Sequence, residues 1–145
     1  MEKVLIKKLD PSVKLPSYKT KGASGMDLMA FIKEPITLKP KSSCLVPTGL
    51  SVAFSNDFEI QIRPRSGLAA KNNISILNTP GTIDSDYRGE LKVILFNHGN
   101  NDFLINNKDR VAQIILAPVI KIELEQTNDL PETVRGEGGF GSTGK

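Results

Sequence analysis

Phe58-Glu-Ile-Gln-Ile62 alternates apolar and polar side chains. A strand with that period turns Phe58, Ile60 and Ile62 toward a core and leaves Glu59 and Gln61 toward water. Ile120-Lys-Ile-Glu-Leu124 repeats the pattern and is predicted to be a strand for the same reason. Between and before them, short apolar runs at 4–9, 24–31, 44–46, 50–54, 74–77, 91–96, 103–105 and 111–116 are separated by turn signals such as Asn78-Thr-Pro-Gly81 and His98-Gly-Asn-Asn101. Only 66–72, with Leu68-Ala-Ala-Lys71, has helix-forming composition, and Asn72-Asn73 ends it after about two turns. Many short strands with no crossover helices predict an all-β fold: an antiparallel sandwich, jelly roll or barrel carrying one short helix.

The chain has 145 residues, of which 39% are hydrophobic and 24% charged, the proportions of one ordinary globular domain. Its single cysteine, Cys44, excludes an intramolecular disulfide framework and suits a reducing compartment. No apolar run approaches the ~20 residues of a membrane helix, and the N-terminus lacks the apolar core of a signal peptide, so the expected location is the cytoplasm, away from membranes. The net charge of +3 is concentrated in residues 1–21, where six lysines face Glu2 and Asp10, leaving the remainder at −1. Bulk charge therefore indicates no nucleic-acid partner. Five of the twelve glycines fall in Arg135-Gly-Glu-Gly-Gly-Phe-Gly-Ser-Thr-Gly-Lys145, a tail with no core-forming pattern.

Chemistry can sit in four places. The tail carries Arg135, Ser142 and Thr143 among its glycines, a composition suited to phosphate oxygens. Its Gly139-Phe-Gly-Ser-Thr-Gly-Lys145 satisfies G-x-x-x-x-G-K, but the Ser/Thr and helix that a P-loop needs after the lysine do not follow. From composition alone a Gly-rich end without a role is the default reading, against which Phe140 is suited to closing over a flat nucleobase. At Pro64-Arg-Ser-Gly-Leu-Ala69 a strand gives way to the helical segment and an anion could meet unpaired N–H groups; taken alone, Ser66 capping the helix and Arg65 in solvent account for these residues. Gly81-Thr-Ile-Asp-Ser-Asp-Tyr-Arg-Gly-Glu90 packs carboxylates, an arginine and a tyrosine between two glycines, so Asp84 and Asp86 are candidate bases or metal ligands, although an isolated D-x-D more often serves ordinary turn chemistry. Asp27, a charge within Ala23-Ser-Gly-Met-Asp-Leu-Met-Ala30, requires a cation or a polar network nearby. His98 lacks a second histidine and Cys44 an adjacent cation in sequence, so both are read as structural and no Cys/His metal site is expected.

In order, residues 23–30, 64–69, 81–90, Asp109-Arg-Val-Ala-Gln-Ile-Ile115 and 135–144 resemble the five motifs of trimeric deoxyuridine triphosphatases, the dUTPases. The resemblance spans nearly the whole chain. It implies a jelly-roll domain over 1–134 and a flexible lid over 135–145 that completes an active site shared between chains of a homotrimer. It also implies hydrolysis of dUTP to dUMP and pyrophosphate, which limits uracil incorporation into DNA and supplies dUMP for thymidylate synthesis. Asp84 matches the aspartate that activates water, and Tyr87 the tyrosine beneath the deoxyribose. Asn78, with Gly81, Thr82 and Ile83 of the hairpin, matches the uracil pocket, to which Lys92 contributes at most its main chain. Arg65, Ser66, Gly67 and Gln113 match phosphate-binding positions, and Arg135, Phe140, Gly141, Ser142 and Thr143 match the closing tail. Many relatives carry an apolar residue where this chain has Thr82. The implied cofactor is Mg²⁺, carried on substrate phosphates and waters with no direct protein ligand and with Asp27 in its outer water shell. Two other readings of the same scaffold are a dCTP deaminase-type relative and a non-catalytic dUTP-binding regulatory protein.

Overall fold

The computed structural model describes residues 2–141. Its strands, in chain order, are β1 (Leu5–Lys8), β2 (Met26–Met29), β3 (Ile36–Leu38), β4 (Ser43–Pro47), β5 (Leu50–Ala53) and β6 (Phe58–Arg63), then, after the helix α1 (Ser66–Asn72), β7 (Ile74–Ile76), β8 (Gly81–Ile83), β9 (Lys92–Asn97), β10 (Phe103–Ile105) and β11 (Arg110–Pro118). All pairings are antiparallel: β2-β11-β6-β8 form one sheet, β4-β9-β7 a second, and β1-β5 and β3-β10 make two-stranded pairs. This is the predicted all-β class with its single short helix.

Alternation decides what each strand buries. Ile60 and Ile62 of β6, Val93 and Leu95 of β9, and Ile74 and Ile76 of β7 point into one core with Leu28, Val46, Leu50 and Leu91. Burying each such side chain contributes roughly 1.5–3 kcal/mol, which offsets the entropy lost in ordering the short connections. With Thr48 and Ser51, Asn97 is a polar residue in the buried interior. Its Nδ2 donates to the carbonyls of Leu38 (3.1 Å) and Asn101 (2.8 Å), and its Oδ1 accepts from Gly99 N (2.8 Å), so the amide ties β3 to the turn that follows β9.

β11 is not regular. Its register against β2 shifts between Arg110 and Ala112, and Val111 and Ala112 both face the core. In a regular strand Arg110 and Gln113, three residues apart, would lie on opposite faces. The bulge restores both to the outer face, where Gln113 sits opposite Asp27 of β2.

The alternating segment 120–124 is not a strand. The last backbone bond from this region to the body is Val119 N to Asp57 O at 2.8 Å, after which Ile120, Ile122 and Leu124 are 90%, 78% and 87% exposed. The alternation is genuine, but among the described residues no strand lies beside it. β3 and β8 are not among the predicted strands, because each lies against turn-forming prolines, Pro35 and Pro40 for β3 and Pro80 for β8.

Candidate active site

The candidate residues gather in two clusters, at opposite ends of the β2-β11-β6-β8 sheet. The first surrounds Asp27. Its Oδ1 accepts from Arg65 Nε at 2.9 Å and its Oδ2 from Arg110 Nη1 at 3.2 Å. Arg65 also donates through Nη1 to the Arg110 carbonyl at 3.1 Å. The cation required by a charge in an apolar strand is thus supplied twice. Gln113 lies alongside, with Nε2 donating to Pro64 O at 3.0 Å, and Gly25 leaves the space its amide occupies: a Cβ there would stand 2.6 Å from Gln113 Oε1. Arg65 itself is the N-cap of α1, with extended backbone (φ −92°, ψ 128°) and no side-chain cap, so Ser66 does not cap the helix as its composition suggested; it is the first helical residue. Ser66 and Gly67 are exposed, and space around Gly67 is open, leaving their backbone N–H groups accessible. Asn73, in the left-handed conformation (φ 56°), ends the helix as expected.

The second cluster is the hairpin after β7. Asp84 opens a turn closed by Tyr87 N to Asp84 O at 3.1 Å, and its side chain is exposed. Arg88 folds back on this turn through Nη1 to Ser85 O (2.6 Å) and Tyr87 O (3.0 Å). The Tyr87 ring lies across Gly89, where an added Cβ would be 2.3 Å from its hydroxyl, and that hydroxyl donates to Glu90 O at 3.0 Å. Glu90 is fixed in turn by Gly49 N, which donates to its Oε1 at 2.8 Å. Asn78 packs over Gly81, its Nδ2 3.2 Å from where a Cβ would be. Thr82 and Ile83 complete β8, opposite Gln61 and Ile60. Lys92 starts β9 with its side chain exposed; two residues on, the Ile94 carbonyl accepts Leu77 N at 2.9 Å, which holds the segment leading to Asn78.

The register separates the two clusters. β8 runs Gly81↔Ile62 to Ile83↔Ile60, so Asp84 comes level with Glu59, whereas Gln113 and Asp27 are level with Arg63. Four residues along the sheet and three strands across it place the Asp84 and Asp27 backbones roughly 20 Å apart. Within one protomer they do not converge.

Among the described residues of the tail, 135–141, none joins either cluster in its own chain. Arg135 Nε donates to Gly138 O at 2.7 Å, Gly138 N to Arg135 O at 3.1 Å, and Phe140 is fully exposed with φ 50° beside Gly141 at φ 90°. Ser142 and Thr143 lie outside the described residues. Among the described residues no three carboxylate, histidine or cysteine side chains gather as a metal cage. Cys44 is half-buried and burial pushes its thiol up from the ordinary range, which disfavours the nucleophilic thiolate. His98 is hydrogen-bonded to Ser75 Oγ (2.7 Å) and packed on Phe96 at 4.5 Å between ring centroids, a structural placement. Among the described residues no helix is long and apolar enough to cross a membrane. The residue that sequence reading passed over is Arg110: it stands in the quoted fourth motif, but a period-two reading of β11 without its bulge places it on the face opposite Gln113.

Comparison with known proteins gives the family. A sequence model of the dUTPase family matches residues 11–144. The chain is 57% identical over 137 residues to the deoxyuridine 5'-triphosphate nucleotidohydrolase of Treponema denticola, covering 94% of this chain and 95% of that one. It is 53% identical to the enzyme of that name from Fusobacterium nucleatum, covering 100% of both. The fold superposes on the Staphylococcus bacteriophage 80alpha dUTPase solved with dUPNHPP, with a TM-score of 0.85, 22% identity and 100% of both chains covered. That likeness makes the sandwich a dUTPase jelly roll. With motif residues ordered along β2, the β6-α1 junction, the β8 hairpin and β11, and with the family match running from Pro11 to Gly144, the chain belongs to the dUTPase family.

Proposed function

We propose that this chain hydrolyses dUTP to dUMP and pyrophosphate through attack of water on the α-phosphorus. The observation that carries the reading is the hairpin carrying Asn78, Asp84 and Tyr87, in a chain more than half identical to named dUTP nucleotidohydrolases. Asp84 accepts the proton of the attacking water, and Asn78 with the main chain of Gly81, Thr82 and Ile83 holds the uracil. Arg65, Gln113 and the N–H groups of Ser66 and Gly67 hold the polyphosphate, on which the leaving pyrophosphate builds negative charge. In the cell this keeps dUTP scarce in the cytoplasmic nucleotide pool and supplies dUMP for thymidylate synthesis.

Mg²⁺ fits as an ion carried by the triphosphate, since the donors facing the phosphates are guanidinium and amide groups rather than a carboxylate cage. When bound it supplies neutralising charge to the polyphosphate oxygens. Pyrophosphate release measured in parallel with dUTP, dCTP, dTTP and UTP tests the reaction. Turnover of dUTP alone is expected; ammonia release from dCTP, or binding of dUTP without turnover, would overturn it.

The active unit in this proposal is a homotrimer. Asp84 and Arg65 serve one site only if they come from different chains, because their own sheet holds them apart. The arm beyond Pro118 supports the same reading: Ile120, Ile122 and Leu124 are alternating and exposed, the pattern of a strand that pairs outside its own chain. Sedimentation is expected to give three chains per particle. A monomer active at full rate would remove the shared site.

Tyr87 sets selectivity in this scheme, its ring packing against C2′ where a ribose hydroxyl would clash. Tyr87→Ala is expected to narrow the ratio of kcat/KM for dUTP over UTP. Gly89→Ala should move it the same way, because the new Cβ displaces the ring. The ring is partly exposed and can swing out, so the melting temperature should hold to within a few degrees. An unchanged ratio in both variants would place discrimination elsewhere.

A further inference from the structure

The Tyr87 ring is 42% exposed, so packing alone does not fix it. Two features do: Gly89 leaves the space that the ring fills, and the ring hydroxyl donates to the Glu90 carbonyl at 3.0 Å. That carbonyl lies outside the ladders, after β8 and before β9 begins at Lys92. The turn between β4 and β5 holds it. Gly49 N donates to Glu90 Oε1 at 2.8 Å, Leu91 N to Leu50 O at 2.7 Å, and Thr48 Oγ1 to Leu91 O at 2.7 Å. Thr48 and Leu91 are buried, and the turn is itself set in the core. Gly49 is left-handed at φ 70°, a Cβ on it would stand 2.6 Å from Val13 Cγ2, and its carbonyl accepts Leu9 N at 2.8 Å. Two of the three bonds to the turn run through the main chain of Leu91. The third is made by the half-buried Glu90 carboxylate, and it holds the residue whose carbonyl takes the tyrosine hydroxyl.

We propose that Glu90 is a positioning residue for sugar selectivity: held by Gly49 N, it fixes its own carbonyl as the acceptor that keeps the Tyr87 ring where a 2′-hydroxyl would meet it. This rests on the proposed dUTP hydrolysis and on the place given there to Tyr87, and adds a residue that acts through the ring rather than on the substrate. Rejection by steric overlap needs a wall that does not yield. An exposed aromatic side chain gains rotamer freedom when its one polar contact is lost, and a ring free to turn about its χ angles makes room for the extra hydroxyl. The chain of bonds from Gly49 through Glu90 to Tyr87 carries the rigidity of a core turn to that wall.

The test compares Glu90→Ala, Glu90→Asp, Glu90→Gln and Tyr87→Phe with wild type, in the full chain as assembled, by kcat/KM for dUTP and for UTP. A second readout needs no substrate. The chain has two tyrosines and no tryptophan, so in a Tyr18→Phe background acrylamide quenching of the fluorescence reports Tyr87 alone. Glu90→Ala should narrow the dUTP over UTP ratio roughly three- to tenfold, chiefly by raising kcat/KM for UTP, and should make Tyr87 easier to quench. Glu90→Asp, a methylene short of Gly49 N, should do the same with the charge kept. Glu90→Gln retains an acceptor for Gly49 N and should match wild type in both readouts. Tyr87→Phe should narrow the ratio as far as Glu90→Ala does, and the two together should narrow it no further. If Glu90→Ala does not fold, Glu90→Asp and Tyr87→Phe carry the same comparison. An unchanged ratio and unchanged quenching in the folded Glu90 variants would overturn the inference. So would losses that add to that of Tyr87→Phe, or rates for both substrates falling together while Tyr87 stays protected, the pattern of a residue that only stabilises the fold. Wild type that turns over no dUTP would overturn the proposed function, whereas wild-type turnover beside unaltered Glu90 variants would overturn this inference alone.

Discussion

Asp84→Asn is expected to lower dUTP turnover by on the order of 10²–10⁴-fold while dUTP affinity, assembly and melting temperature stay close to wild type. The carboxylate is exposed on a turn held by backbone and by Arg88, and no core contact depends on its charge. Asparagine keeps the size and the turn preference of the residue but cannot take the proton of the attacking water. The loss should therefore fall on kcat with little change in KM, the pattern of an interaction made only in the transition state. Steady-state rates beside analogue binding check it. Turnover near wild type, or loss of binding in step with loss of rate, would reject Asp84 as the base.

A chain ending at Val134 is expected to keep its trimer and its thermal stability while losing most of its catalysis. The hydrogen bonds of residues 135–141 are local, Arg135 with Gly138 and Gly136 with Thr133, so among the described residues the body loses none. In the proposed function Arg135 and Phe140 gain partners only when substrate is present, and the expected closure excludes water and fixes the γ-phosphate. The defect should then appear in both kcat and KM. Phe140→Ala should be a milder version, losing a base–aromatic contact worth ~1–3 kcal/mol. Single-turnover hydrolysis at saturating dUTP and Mg²⁺ compares the two lengths, and equal rates would mean that the tail has no role.

Much of the fold was legible because alternation reports a two-sided environment, and most strands have one face in the core. The strand 103–105 and the helix 66–72 have the bounds that their patterns indicated. The same signal misled at 120–124, since alternation says that a segment has two unlike faces and not which chain covers them. Ile36-Thr-Leu38 and Gly81-Thr-Ile83 escaped it because the adjoining prolines, Pro35, Pro40 and Pro80, read as turns. Of the site, Asp27 declared itself as a charge in an apolar strand, and the hairpin by its density of polar groups. Arg110 did not, because a bulge changes the face of every residue beyond it and leaves no mark in composition. That Arg65 and Asp84 lie at opposite ends of one sheet is a property of register, which no local pattern contains.

The central claim, a site made from different chains, is tested most directly by pairing two inactive variants. Asp84→Asn and Arg65→Gln are co-expressed with different tags, and trimers carrying both tags are assayed against the bulk mixture. If each site takes Asp84 from one chain and Arg65 from the next, random equal mixing makes about one quarter of all sites intact, and the mixture recovers about a quarter of wild-type turnover. Activity no greater than that of the two variants assayed separately would show that Asp84 and Arg65 work within one chain and would contradict the account.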